Sequence, residues 1–165
     1  MFVVLSEIQT KESAFIYHPL QKTKLIIIST IVGTITYLVF GYFVFEIILG
    51  DYIADNTTHI PGFKKSGEQS GLFFLTLSCA AYALLISLIL GYWSKTNAPI
   101  MGFKIGAIVG TLIAIMADCY WYSTSNFHNS IFPMVADIFA ATITVGIMGA
   151  TIAWVLSYEQ TISKT

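Results

Sequence analysis

The chain has 165 residues, 56% of them hydrophobic and only 10% charged, with a mean hydropathy of +0.76 and a formal net charge of −1. A soluble domain carries about 25% charged residues, so the composition predicts a bilayer protein with room for one compact domain. All eight basic residues are lysine; without the planar guanidinium fork, phosphate or nucleic-acid recognition is disfavoured.

The first 24 residues precede any long apolar run. MFVVL is five residues long, has no basic region before it and is followed by Glu7, so it does not read as a secretory signal. A short segment lying on the membrane surface is the expectation there.

Crossing a bilayer takes roughly 20 apolar residues. Four stretches meet that length: 25–50, 72–93, 102–122 and 131–156. The connections between them are polar or turn-rich, with Pro61-Gly62 and Pro99 as breaks. Pro133 opens the fourth stretch, where its missing N–H costs least. Backbone in lipid must satisfy its own hydrogen bonds, so the stretches are helices. The predicted fold is all-α: a polytopic four-transmembrane-helix bundle over 25–157, between a cytoplasmic N-terminal segment (1–24) and a cytoplasmic tail (158–165).

Lysine placement sets the direction. Lys11, Lys22, Lys24, Lys95, Lys104 and Lys164 fall on one side of the four stretches, and Lys64 and Lys65 on the other. By the positive-inside rule both termini are cytoplasmic, in what reads as a bacterial inner membrane. The acids sort the opposite way: Glu46, Asp51, Asp55, Glu68, Asp118 and Asp137 gather at the outer end, against Glu7, Glu12 and Glu159 inside. Near-neutrality therefore hides a polarised molecule.

Gly102, Gly106 and Gly110 form two overlapping G-x-x-x-G units, which permit close approach of another helix. Continuing by fours gives Ala114 and Asp118. The fourth stretch repeats the spacing with Asp137, Ala141, Val145, Gly149 and Ala153. Residues four apart share a helix face, so the stripes aim Asp118 and Asp137 at neighbouring helices, within one fold or a homo-oligomer. The two halves are also loosely alike: Ala54-Asp55 and Ala117-Asp118 each precede a polar connection with a histidine, His59 or His128. This raises a duplicated helical hairpin.

Glu46, Asp118 and Asp137 lie at a similar depth, roughly 5–10 Å below the outer interface at 1.5 Å per residue. Three like charges in one layer would repel and take up protons or a cation, making these three, with Asp51 and Asp55 above them, the candidate ligand- or proton-binding residues. If the first helix continues past Gly50, Asp55 and His59 gain the i, i+4 spacing that chelates a divalent metal, with His128 in reach. No other cofactor is implied. Tyr42, Tyr52, Tyr120, Trp121 and Tyr122 surround this level, as interfacial anchors or as walls of an aromatic and acidic pocket for a cation.

Cys79 and Cys119 sit in separate apolar runs without a C-x-x-C, and read as buried small hydrophobes. All three histidines lie outside the apolar stretches, against embedded haem ligation. No nucleophile–base motif is present, so the reading leans away from an enzyme. Two readings remain. One is a membrane protein whose outward acidic pocket binds or transports a proton, metal ion or small cation. The other is a non-catalytic scaffold or accessory subunit of a larger membrane complex.

Overall fold

The computed structural model describes residues 2–58, 71–94 and 98–162, with side chains from residue 22 to residue 158 of those segments. Helix α1 (Phe2–Tyr42) passes into wide π-type turns (Phe43–Ile48), followed by the short α2 (Gly50–Asn56). Helix α3 (Leu72–Leu88) ends in a second π-type segment (Ile89–Trp93); α4 (Pro99–Thr124) and α5 (Ile131–Ile162) complete the chain. No strand occurs among the described residues. Four of the helical stretches, Lys22–Ile48, Leu72–Trp93, Pro99–Thr124 and Ile131–Tyr158, are long and apolar enough to cross a membrane.

The segment before residue 25 is helical and runs without a break into the first long apolar stretch, since α1 is continuous from Phe2. The first long helix does not run on to His59. The Leu49 N–H bonds back five residues to the Val44 carbonyl at 3.0 Å, α2 ends at Asn56, and Thr57 is extended at φ −115°, ψ 154°. Thr57 and Thr58 are β-branched and suit extended backbone. Among the described residues no helical turn carries on from Asp55 past Asn56, and His59, the expected partner, lies outside them.

Helix α5 is the centre of the bundle. Half of its most apolar window is buried, against 22% in each of the other three long helices. It packs on α1, α3 and α4, whereas α4 packs almost wholly on α5. Ala83 and Ile86 from α3 and Leu90 from the π-type segment after it meet Val145, Met148, Ile152 and Leu156 from α5 in the core. Helix α1 closes in at Gly33, where a Cβ would meet Ile152 Cδ1 at 2.7 Å and Ala83 Cβ at 3.2 Å. Between α1 and α3, Ser29 donates to Ser87 at 3.2 Å, both fully buried, and Tyr37 meets Tyr82 edge-on at 5.5 Å.

The α4–α5 hairpin is joined differently, by small residues. The buried residues of α4 are Gly102, Gly106, Gly110, Ala114 and Asp118, a strict four-residue spacing. A Cβ on Gly102 would strike the Gly149 carbonyl and the Ala153 side chain; one on Gly106 would strike the Val145 carbonyl and come within 3.2 Å of Gly149 Cα. One on Gly110 would lie 2.7 Å from Val145 Cβ. The two backbones thus touch through glycine, with close packing and dispersion as the attraction. The Thr111 and Thr142 hydroxyls, 2.7 Å apart, add a polar contact beside this seam. Stepping four residues up α4 and four down α5 brings Ala114 level with Ala141, and Asp118 level with Asp137. A chain carrying Ala114→Cys and Ala141→Cys, with Cys79 and Cys119 replaced by alanine, is expected to form an intramolecular disulfide on mild oxidation. A mobility shift on a non-reducing gel reads the result, and no cross-link would contradict this register.

Candidate functional site

The glycine seam leads directly to the two carboxylates. Asp118 lies six residues before the end of α4 and Asp137 six residues after the start of α5, which places each about 9 Å inside its helix end. Their carboxyl groups stand close enough to interact directly. Like charges that close repel, which favours a proton or a cation at the pair. Asp118 is only 8% exposed, and its Oδ2 has no hydrogen-bond partner among the described residues.

A cavity of about 330 Å³ adjoins the pair. Ile53 of α2, Trp121 of α4 and Pro133 of α5 line it with the two acids, and Phe127 and His128 close it from the α4–α5 connection. His128 is within electrostatic reach of Asp137, and its buried Nδ1 also lacks a hydrogen-bond partner. Its ring packs edge-on against Phe127 at 4.9 Å, and Phe127 lies 6.4 Å from Trp121.

Local chemistry explains why this connection stands where it does. Hydroxyls collect the last carbonyls of α4: Thr124 Oγ1 donates to Tyr120 at 2.7 Å and Ser125 Oγ to Trp121 at 2.7 Å. With its end satisfied, the helix stops at Ser125, which is extended. The connection is then clasped to the end of α2. The Thr58 N–H donates to the Phe127 carbonyl at 2.8 Å and the Asn129 N–H to the Asn56 carbonyl at 3.1 Å, around an antiparallel Thr57–His128 bridge. The Thr58 hydroxyl adds bonds to the Asn126 carbonyl and, at 3.0 Å, to Asn129 Oδ1.

The candidate residues separate accordingly. Asp118 and Asp137 meet, and His128 stands beside them. Glu46 is exposed in the π-type segment at the end of α1 and does not line the cavity. Asp51 and Asp55 are exposed on α2 and do not line it either. Gly102, Gly106, Gly110 and Gly149 form the seam that supports the pair. Among the described residues, no three His, Cys, Asp or Glu side chains are grouped to hold a metal ion. Cys79 is buried on α3 and Cys119 exposed on α4, both as free thiols. Ile53, Phe127 and Pro133 were not among the site residues that the sequence suggested; no short-range pattern marks them as such, because three different elements bring them together.

The fold and site define an all-helical protein with four helices long enough to cross a membrane and a buried carboxyl pair near one end of the bundle. Comparison of the chain with protein families, with characterised proteins and with solved structures finds no match.

Proposed function

We propose that the chain is a multi-pass membrane protein, with both termini in the cytoplasm of a bacterial cell, whose outward-facing acidic pocket binds a small cation or a proton as a receptor or the entry site of a transporter. The observation that carries this reading is Asp118: a carboxyl buried beside a second carboxyl, with a cavity next to the pair. Two like charges so close repel, so a cation or a proton that neutralises them would be favoured. Ionisable residues buried within a membrane helical bundle are reasonable ligand or proton sites. The test is calorimetric titration of purified protein with cations at several pH values. Saturable binding that an Asp118→Asn variant lacks supports the reading; no uptake of cation or proton by the folded protein defeats it.

The orientation rests on six lysines against two. Reporter fusions in the 94–101 connection are expected to read cytoplasmic and those in 60–68 external. The reverse pattern would turn the pocket to the cytoplasm. A scaffold or accessory-subunit role is the second reading, in a homo-oligomer or a larger complex. It is favoured by the free side of α4, where Ile108, Leu112 and Met116 are 60%, 61% and 68% exposed and would face lipid or another membrane helix.

A further inference from the structure

We infer that the occupant of the pocket is a small organic ammonium ion, held by N–H donation to Asp118 and Asp137 with its carbon body against Trp121 and Phe127. This names the ligand class for the cation site proposed above and rests on that reading.

Three features of the cavity favour an ammonium ion over a metal. The first is the donor set. A hard divalent cation takes six to eight oxygens, or keeps several waters. The pocket offers two carboxyls, and no metal-holding group of three occurs among the described residues. The second is size. About 330 Å³ is some eleven times a water's share of liquid volume, far more than a bare ion fills and within the range of small-molecule sites. The third is the distribution of polarity. The acids stand on the α4–α5 seam, while Ile53, Trp121, Phe127 and Pro133 make the remaining wall apolar or aromatic. A hydrated metal would leave that wall wet. An alkyl- or arylammonium covers it, and aromatic faces attract the cation as well.

The carboxyls narrow the class further. Both line the cavity, and an ionised carboxylate only accepts hydrogen bonds. A primary ammonium has N–H groups to donate, whereas a quaternary ammonium has none. The imidazole of His128 also lines the pocket, within electrostatic reach of Asp137.

The experiment titrates the full-length protein in lipid nanodiscs with benzylammonium chloride, following calorimetric heat and tryptophan fluorescence. Saturable binding at one site per chain is expected. Benzyl alcohol, the neutral near-isostere, and tetramethylammonium should each bind at least about tenfold more weakly. Asp118→Asn should weaken benzylammonium by about a hundredfold and Trp121→Leu by about tenfold. Should Asp118→Asn fail to fold, Asp137→Asn and Trp121→Leu carry the comparison. If sodium, calcium or manganese binds at an Asp118-dependent site and benzylammonium does not displace it, the cation pocket stands and the ammonium class is overturned. Tetramethylammonium binding as tightly as benzylammonium overturns the role of N–H donation. No binding of any of these cations by the folded protein overturns the ammonium class, and no proton uptake either overturns the pocket reading with it.

Discussion

Replacing Gly106 by leucine is expected to destabilise the protein by about 3 kcal/mol or more, at the upper end of what overpacking costs. Gly106 is buried at the middle of the α4–α5 seam, and a Cβ there would strike the carbonyl of Val145. That obstacle is backbone, which cannot rotate aside as a flexible side chain can. Relief requires α4 to move away from α5, and this withdraws the contacts at Gly102 and Gly110 together, since the three glycines lie along one row. The Asp118–Asp137 rung continues the same row, so ligand binding should fall with stability. Thermal unfolding in detergent and in lipid measures the effect. Gly41→Ala is the control: a Cβ there meets nothing within 4 Å, and in a helix the change should be neutral or stabilising by about 0.5–1 kcal/mol. Equal stability of Gly106→Leu and the parent protein would show that the hairpin does not pack as described.

Asp118→Asn is expected to leave the fold intact and remove cation binding, with an affinity loss of about a hundredfold. The amide has the shape of the acid and can donate a hydrogen bond to Asp137 without a shared proton or a cation. Folding should therefore survive, and the stabilisation that a bound cation gives the parent protein should vanish. The check is the melting temperature of parent and variant with and without saturating cation, since a ligand that binds only the folded state raises it. Asp55→Asn should behave like the parent, because Asp55 is exposed on α2 and does not line the cavity. Glu46→Gln carries a separate lesson. If binding depends on a layer of three acids at one depth, it should match Asp118→Asn; if it depends on the buried pair, Glu46→Gln should have a much smaller effect. An unchanged cation response in Asp118→Asn would reduce the carboxyl to a structural group in the hairpin.

Composition and periodicity determined the helical class and the four long apolar helices, because a run of some 20 apolar residues is a local property of the chain. Spacing by fours likewise revealed the row Gly102, Gly106, Gly110, Ala114 and Asp118, since residues i and i+4 share a helix face wherever the helix is placed. Only the tertiary structure decided which helix meets that row and in what register. The approach of Gly106 to Gly149 depends on how two surfaces interlock, and that register sets Asp118 opposite Asp137. Depth along the chain also could not separate Glu46 from the pair. Depth counts residues along an axis, while convergence depends on the direction around it, and Glu46 lies in the π-type segment where regular helical spacing no longer holds. The clasp between Thr58 and Phe127 was equally invisible, because it joins residues 69 positions apart through backbone groups that every non-proline residue carries. A sequence reports which residues share a face; the packing of one helix on another decides what that face meets.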